Sequence, residues 1–270
     1  ARQEENRVSY ERIKLDYEGN VAVLTFNHPE VMNAVCTRML TELQEAVREV
    51  RDRGPEVRCL LMTGEGRGFC AGANLADEER NAQREKQGAG DGLRTGYHPL
   101  LLGMRDLELP IVTAVNGAAA GVGMSFALMG DMICAGRSAF FLQAFARIGL
   151  IPDGGATYLL PRLVGWARAK ELSLMADRLP AAQALEWGLI NRVFDDEALL
   201  PEAMKIAERL AKGPRSLALI RKAYWQSAFN SYEAQLDLEA QLQNEAGRSL
   251  DFKEGISAFL GKREAGFTGR

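Results

Sequence analysis

The uncharged run LPIVTAVNGAAAGVGMSFALMG, residues 109–130, decides the fold of this chain. The run is long enough to cross a lipid bilayer, but the dipeptide Asn116-Gly117 in its middle is a turn signal. This turn divides the run into a β-branched segment at residues 111–115 and a small-residue helix at residues 121–129. A buried strand followed by a buried helix predicts an α/β core rather than a membrane span.

The segments before this run also predict strands and helices in alternation. Residues 8–16 and 21–26 are separated by the turn Glu18-Gly19-Asn20, which predicts a β-hairpin. Residues 37–53 have the apolar spacing of an amphipathic helix that Thr37 can cap. Residues 57–63 are a continuous apolar strand, which requires cover on both faces of its sheet.

The second half of the chain is predicted to be mainly helical. Before it, the polar residues 77–96 read as a mobile loop, and residues 97–107 as a helix. After Gly155 only residues 189–194 have a strand pattern. Helices are predicted at residues 156–163, 167–175, 181–187, 197–211, 216–229, 232–247 and 252–260.

The composition is that of an ordinary globular protein. Hydrophobic residues make up 47% and charged residues 26% of the 270 residues. Because 33 Lys and Arg face 36 Asp and Glu, the net charge of −3 offers no general surface for nucleic acid or an anionic membrane. Residues 1–12 are charged and contain no apolar signal segment. We therefore expect a cytoplasmic protein.

The residues that usually bind metals or attack substrates are sparse. The chain has four cysteines, none in a CxxC motif, and two histidines, His28 and His98. This spacing predicts no metal site. The chain also lacks the P-loop, the dinucleotide-binding GxGxxG and the GxSxG nucleophile motif. These gaps argue against nucleotide binding and Ser-His-Asp catalysis.

Two loops rich in Gly and Ala each follow a predicted strand. They are GFCAGANL at residues 68–75 and VNGAAAGVG at residues 115–123. Small residues let a ligand approach the backbone closely, so the useful groups are peptide N–H donors. The second loop also starts a helix, where free N–H groups favour a negative oxygen. The pair can form an oxyanion hole, and close packing of helix on strand is the alternative explanation.

A third segment, GLIPDGGA at residues 149–156, supplies a carboxylate. Asp153 lies between Pro152 and two glycines, a pattern typical of a turn or of a helix N-cap. Apolar neighbours would instead raise the pKa of this carboxyl group into a catalytically useful range. The residues alone favour the structural role.

Together, these three segments resemble those of the crotonase (enoyl-CoA hydratase/isomerase) superfamily. The later segments RLPAAQALEWGLINRVFDD, ERLAKGPRSLALIRKA and EGISAFLGKREAGF match it in order. The resemblance implies an α/β fold: a crotonase-like spiral of ββα units over residues 1–195 and a C-terminal helical trimerisation region over residues 196–270. It further implies a homotrimer or hexamer, and an acyl-CoA thioester substrate that brings its CoA with it, so that no separate cofactor is needed.

Carried onto this sequence, the resemblance assigns the oxyanion donors to the backbone N–H groups of Ala73 and Val122. Asp153 takes the position of the single acid in enoyl-CoA isomerases of the superfamily. The hydratases carry one glutamate where this chain has Ser125 and a second where it has Ala144-Phe145. Hydration needs one group to activate water and one to deliver a proton. The substitutions therefore favour an isomerase over a hydratase.

The resemblance also suggests which residues contact the substrate. Lys262 would lie near the CoA phosphates, often across a subunit boundary, although a solvated surface explains it equally well. For the aromatic residues the alternative is ordinary core packing, and for His98 a loop position without a catalytic part. The candidate substrate-binding residues are Ala71, Asn74, Leu75, Tyr97, His98, Gly121, Phe145 and Lys262.

The function that we expect is isomerisation of an enoyl-CoA, either a double-bond shift or the rearrangement of an epoxide-type ring. Asp153 would carry the proton, and the oxyanion hole would hold the dienolate. One alternative is another crotonase reaction: hydration, thioester hydrolysis or C–C cleavage. A second is an inert family member that binds an acyl-CoA or a partner protein. An acyl-carrier-protein thioester in place of CoA is also open.

Overall fold

The computed structural model of the chain describes residues 10–270, apart from the side chains of residues 83, 84 and 87. The predicted start of the first strand, at residues 8 and 9, therefore lies outside the described residues. The described part contains two sheets and eleven α-helices.

The larger sheet has six strands in the order β1-β2-β3-β5-β7-β10. The first two strands form the predicted hairpin, which is antiparallel, and the remaining neighbours pair in parallel. Every residue of β3 is buried, as expected for a strand covered on both faces. The strands are β1 (Ile13–Glu18), β2 (Val21–Phe26), β3 (Cys59–Gly64), β5 (Ile111–Val115), β7 (Met132–Gly136) and β10 (Arg192–Phe194).

A second sheet of four short strands was not predicted from the sequence. Its order is β4-β6-β8-β9, with β4 (Gly68–Cys70), β6 (Ala118–Ala120), β8 (Phe140–Leu142) and β9 (Leu179–Pro180). The segments around β4 and β6 were expected to be loops, and this is wrong. A strand of three alanines has neither β propensity nor alternation, and β6 exists because it pairs with β4 on one side and β8 on the other.

The two sheets are built by one repeating path of the chain. The strand pairs β3–β4, β5–β6 and β7–β8 each place one strand in the large sheet and the next in the small one. A helix follows each pair before the chain returns. This order agrees with the spiral of ββα units expected from the resemblance.

Helices surround the sheets. The observed helix at residues 156–175 is kinked at Gly165, where φ is +79°. This agrees with the two helices predicted at residues 156–163 and 167–175. A π-helical turn spans Leu93–Tyr97. The α-helices are α1 (Thr37–Asp52), α2 (Glu78–Gln87), α3 (Ala89–Gly92), α4 (His98–Arg105), α5 (Val122–Ala127), α6 (Ala156–Met175), α7 (Ala181–Glu186), α8 (Leu199–Ala211), α9 (Ser216–Ser227), α10 (Tyr232–Gly247) and α11 (Leu250–Leu260).

The polar residues 77–96, expected to be a mobile loop, form α2, α3 and most of the π-helical turn. Both ends of this segment are tied to α1. The backbone N–H and the hydroxyl of Thr37 donate to the Asp77 carboxylate, at 2.6 and 3.0 Å. Gln44 Nε2 donates to the carbonyl of Gly96 at 2.8 Å. Thr37 was predicted to cap α1 but binds Asp77 instead. The N-cap of α1 is Cys36, whose sulfur accepts a hydrogen bond from the N–H of Met39.

The large sheet is covered on its second face by α8. Ala203, Ala207 and Ala211 of this helix pack with Cys59 and Leu61 of β3 in a separate apolar cluster. Alanines let the helix lie close to the sheet, which completes the cover that the apolar sequence of β3 requires. Helix α9 is attached through Arg221, a buried residue.

The guanidinium of Arg221 donates to the Asp131 carboxylate at 2.8 Å and to the backbone carbonyls of Met104 and Leu107. Each of the three nitrogens of this buried cation thus has a partner. In the part of the chain that the structure describes, no helix is long and apolar enough to cross a membrane. The uncharged run 109–130 is instead β5, β6 and α5.

Gly123 gives a direct test of this packing. A Cβ atom at this position would lie 2.0 Å from the carbonyl oxygen of Cys70, a backbone atom that cannot move without shifting β4. We expect Gly123→Ala to lower the free energy of unfolding by at least about 3 kcal/mol, or to prevent folding. The measurement is urea unfolding followed by circular dichroism.

The matched control is Gly247→Ala in α10, where a Cβ atom would meet nothing within 4 Å. Alanine is the better helix former, so this variant should be as stable as the parent chain or more so by up to about 1 kcal/mol. Equal stability of the two variants would show that the contact between α5 and β4 does not constrain the fold.

Candidate active site

The two small-residue loops lie against each other. At Gly72, where φ is +101°, a Cβ atom would lie 2.9 Å from the carbonyl oxygen of Ala120. At Gly121, where φ is +53°, it would lie 3.8 Å from the Cα atom of Gly72. Both positions have a positive φ, which favours glycine, and at Gly72 a side chain would also overlap the backbone of Ala120. The loop after β4 and the loop after β6 form one surface.

Each loop contributes a free backbone donor to this surface. Val35 N–H donates to the carbonyl of Gly72 at 2.7 Å, and Asn74 N–H donates to the carbonyl of Val35 at 2.9 Å. This parallel bridge directs the N–H of the intervening Ala73 away from Val35. Val122 is the first residue of α5, so its N–H has no intrahelical acceptor. Within residues 10–270, neither N–H donates to a protein acceptor.

The third segment packs on the start of α5. The hydroxyl of Ser125 donates to the carbonyl oxygen of Asp153 at 3.0 Å. A Cβ atom on Gly154 would lie 2.7 Å from Cβ of Ser125 and 3.2 Å from Cγ2 of Val122. The structure therefore brings the segments containing Ala73, Val122 and Asp153 together, although they lie far apart in sequence.

The side chain of Asp153 does not cap a helix. The N-cap of α6 is Gly155, and it makes no side-chain capping bond. Oδ1 of Asp153 is buried and has no hydrogen-bond partner in the described part of the chain. The N-cap role is therefore wrong. The turn is present, since the N–H of Ala156 donates to the carbonyl of Asp153 at 3.1 Å.

The electrostatics of this carboxyl group follow from its surroundings. Burial raises the pKa of Asp153 from its usual value of 3.8 to about 6, and the nearby guanidinium of Arg80 opposes part of this rise. The group therefore exchanges a proton close to neutral pH, as a general acid or base must do.

Several candidate substrate-binding residues line this region. Tyr97 is buried, and its ring lies 6.3 Å from that of Phe126 in α5. Phe145 is also buried, with its ring edge 3.7 Å from the place of a Cβ atom on Gly121. Asn74 shapes its own loop, since its side-chain oxygen accepts from the N–H of Ala76 at 3.0 Å. Ala71 and Leu75 are exposed in the same loop.

Two further candidates have exposed side chains. His98 is exposed at the first residue of α4. Lys262 is exposed just after α11. The tail that follows Lys262 docks where Arg58 donates to the carbonyl of Phe267 at 3.1 Å, next to the amino end of β3. The small-residue loops follow the carboxyl ends of the strands, at the opposite edge of the sheet.

Sequence reasoning missed two residues at the site. Arg80 acts on Asp153 from α2, in a segment expected to be mobile. A signal for this helix was present, since Asp77 is followed by two further acids, as is common at helix N-termini. Ser125 was noted only for the glutamate that it replaces, whereas its hydroxyl holds the backbone of Asp153.

The chain thus combines a spiral of ββα units with two free backbone donors on neighbouring loops and one buried acid. Comparison with known proteins identifies the family that has this α/β fold. The Enoyl-CoA hydratase/isomerase family model matches residues 16–270. The chain therefore belongs to the enoyl-CoA hydratase/isomerase family, and it is an enzyme of the crotonase superfamily.

Named relatives lie on both sides of the division between isomerases and hydratases. The chain is 45% identical to the 1,2-epoxyphenylacetyl-CoA isomerase of Escherichia coli K12, over 94% of this chain and 97% of that protein. It is 43% identical to a "Probable enoyl-CoA hydratase" of Rhodobacter capsulatus, over 97% and 100%. The enoyl-CoA hydratase structure from Polaromonas sp. JS666 matches with a TM-score of 0.87 and 32% identity, over 94% and 99%.

The packing of the acid-bearing loop predicts a difference between two glycines. Gly154→Ala and Gly149→Ala both place a Cβ atom at a positive φ, +61° and +72°. Only the first meets neighbours, whereas nothing lies within 4 Å of the second. We expect Gly149→Ala to cost about 1–2 kcal/mol of unfolding free energy and Gly154→Ala about 2 kcal/mol more. Equal losses in urea unfolding would mean that this loop does not pack on α5.

The buried carboxyl group predicts a pH-dependent effect of Asp153→Asn on stability. In the folded protein the pKa of Asp153 is raised to about 6, so the folded state holds its proton more tightly than the unfolded state. Above pH 6 the native protein bears the cost of a buried charge, which asparagine removes. The variant should then be more stable by up to about 3 kcal/mol.

This advantage should shrink between about pH 6 and pH 4, where the native carboxyl group becomes protonated. Urea unfolding at several pH values measures it. The control is Asp177→Asn, at an exposed position, which should show no such trend. A variant that is less stable at pH 8 would contradict the buried, unpartnered carboxylate.

Proposed function

We propose that the chain is an enoyl-CoA isomerase, which moves a carbon–carbon double bond between the 3 and 2 positions of an acyl-CoA thioester. The observation that carries the proposal is the buried, unpartnered Oδ1 of Asp153, in a segment packed on the loops that present the free N–H groups of Ala73 and Val122. The similarity to a relative named as an isomerase supports it.

The first step is removal of a proton from the α carbon of a 3-enoyl thioester. The Asp153 carboxylate accepts the proton, the C–H electrons form a double bond to the carbonyl carbon, and the thioester oxygen becomes negative. The N–H groups of Ala73 and Val122 donate hydrogen bonds to this oxygen. Donors fixed by the fold stabilise such a charge without reorganisation, and losing one typically costs about 3–4 kcal/mol.

The second step returns the proton at the other end of the dienolate. The carboxylic acid of Asp153 protonates the γ carbon, which yields the conjugated 2-enoyl thioester and restores the carboxylate. A pKa of about 6 suits one group that serves both as base and as acid. The proposed chemistry uses no cofactor, and CoA is part of the substrate.

The residues that replace the hydratase acids argue against hydration. The hydroxyl of Ser125 is engaged with the backbone of Asp153, and its Cβ atom lies against Gly154. Phe145 is apolar and cannot transfer a proton. Addition of water needs a second titratable group, and neither Ser125 nor Phe145 provides one. Because a relative of nearly equal identity carries a hydratase name, the experiment below measures hydration as well.

The assembly of the chain is also a proposal. Helices α9–α11 and the residues next to them expose large apolar side chains, among them Tyr224, Phe229, Tyr232, Phe259 and Leu260. Many large apolar side chains exposed on neighbouring helices are typical of interfaces. This surface supports the homotrimer or hexamer that the family resemblance implies.

The test compares Asp153→Asn with the parent chain on trans-3-hexenoyl-CoA. Because the variant lacks the group that moves the proton, we expect kcat to fall about 10²- to 10⁴-fold, measured as appearance of the conjugated thioester by ultraviolet absorbance. Asp177→Asn should retain full activity, since this aspartate is exposed. For the parent chain, kcat/KM should rise with pH up to about 6 and then level off, because the carboxylate is the base.

Full turnover by Asp153→Asn would refute the proposal. Conversion of trans-2-hexenoyl-CoA to the 3-hydroxy thioester, faster than isomerisation, would identify a hydratase instead. No reaction with either thioester, despite binding, would favour an inert acyl-CoA-binding protein. The same assay with the acyl-carrier-protein thioester decides between the two carriers.

A further inference from the structure

The hydroxyl of Tyr97 is buried without a partner. The residue is 3% exposed, and its Oη atom has no hydrogen bond in the part of the chain that the structure describes. A buried tyrosine hydroxyl normally finds a partner, because leaving it unpaired is costly. The reaction proposed above does not use this group.

The backbone holds Tyr97 in place. The residue ends the π-helical turn Leu93–Tyr97, a geometry that is rare and often found at functional sites. The preceding residue, Gly96, accepts a hydrogen bond from Gln44 Nε2, and a Cβ atom on it would lie 2.6 Å from Cδ2 of Leu40. Tyr97 is thus fixed against α1 without help from its hydroxyl.

Tyr97 packs next to the helix that holds the segment of the proposed acid. Its ring lies 6.3 Å from that of Phe126, and the preceding residue, Ser125, donates to the Asp153 carbonyl at 3.0 Å. The charges of Arg80 and Asp153 both act on the phenol group of Tyr97, and Arg80 also acts on Asp153. Cζ of Arg80 lies 5.8 Å from the centre of the Tyr97 ring. We name the Tyr97 hydroxyl and the Arg80 guanidinium the polar wall.

Arg80 is itself held in position. It lies in the first turn of α2, and its backbone N–H donates to the Asp77 carboxylate, which is anchored to Thr37. Its side chain forms no ion pair among the described residues. The polar wall therefore offers hydroxyl and guanidinium donors that no protein acceptor uses.

A pocket for a hydrocarbon chain would leave these donors unpaired whenever substrate binds and excludes water. An oxygen on the acyl group would pair with them. We propose that Tyr97 and Arg80 are specificity-determining residues that select acyl thioesters carrying an oxygen substituent remote from the thioester, such as a hydroxyl, ether, epoxide or ring carbonyl. This inference rests on the proposed function, since it takes the acyl group to lie beside Asp153.

The test measures binding of thioesters that cannot react. Phenylacetyl-CoA is compared with its 2-, 3- and 4-hydroxyphenyl analogues, which place one oxygen at three distances from the thioester. By isothermal titration calorimetry, at least one hydroxy analogue should bind the parent chain fivefold or more tightly than phenylacetyl-CoA does. In Tyr97→Phe, which keeps the ring, this preference should fall below twofold, and Arg80→Met should also reduce it.

The control is Tyr17→Phe in β1, at the edge of the large sheet, where the hydroxyl already donates to Glu49 at 2.7 Å and the preference should be unchanged. A parent chain without preference, or a preference that survives in both wall variants, would overturn the proposal. Thermal unfolding without ligand gives a second readout. Tyr97→Phe should have a Tm equal to or above that of the parent chain, because no hydrogen bond is lost. A fall of several degrees would assign the hydroxyl a structural bond and overturn the proposal.

The two proposals fail in different ways. If Asp153→Asn kept its isomerase activity, the assigned chemistry would be wrong, while the binding preference for an oxygenated ring is measured without any reaction. If the preference were absent but Asp153→Asn lost activity, the polar wall would be wrong and the isomerase assignment would stand.

Discussion

The contact between the backbone of α5 and that of β4 is the constraint on which the rest of the molecule depends. Only a glycine at residue 123 permits it, since a side chain there would overlap the carbonyl of Cys70. The contact places the first turn of α5 beside the loop that follows β4, so that the N–H of Val122 and the loop of Ala73 share one surface. Helix α5 then provides Ser125 and Val122, against which the loop of Asp153 packs. The donors are thus positioned by main-chain contacts, and the loop of the acid by the short side chains of Ser125 and Val122.

The buried carboxyl group of Asp153 lowers the stability of the folded protein. The fold supplies neither a hydrogen bond nor an ion pair to Oδ1 of Asp153, so the charged form is disfavoured and the pKa rises to about 6. A structural aspartate at a helix N-terminus would show the opposite shift, because it accepts hydrogen bonds. The unsatisfied carboxyl group makes the folded protein less stable above pH 6 than a neutral residue would. This trade of stability for reactivity is expected where a group must exchange protons near neutral pH.

The sequence predicted those parts of the fold and site that leave a local signal. The apolar periodicity of α1 and the continuous apolar run of β3 were sufficient to place both elements, and the family resemblance brought together the three segments of the site. Local pattern failed where partners decide the structure. The three alanines of β6 form a strand only because β4 and β8 lie on either side. The segment 77–96 is helical because Asp77 and Gly96 are bonded to α1. The sequence around Asp153 indicated a turn or a helix cap, because the residues that bury its carboxyl group are remote in sequence.

The location of the polar wall separates specificity from chemistry. The oxyanion donors and Asp153 lie on the spiral core, where a change in one glycine disturbs several strands. Tyr97 and Arg80 lie on the α2–α4 segment, which is bonded to α1 through Asp77 and Gly96. If the polar wall binds the acyl group as proposed, substitutions in this segment change its recognition without moving the backbone donors. In this chain the two proposals therefore rest on different parts of the fold, the chemistry on the core and the choice of acyl group on this segment.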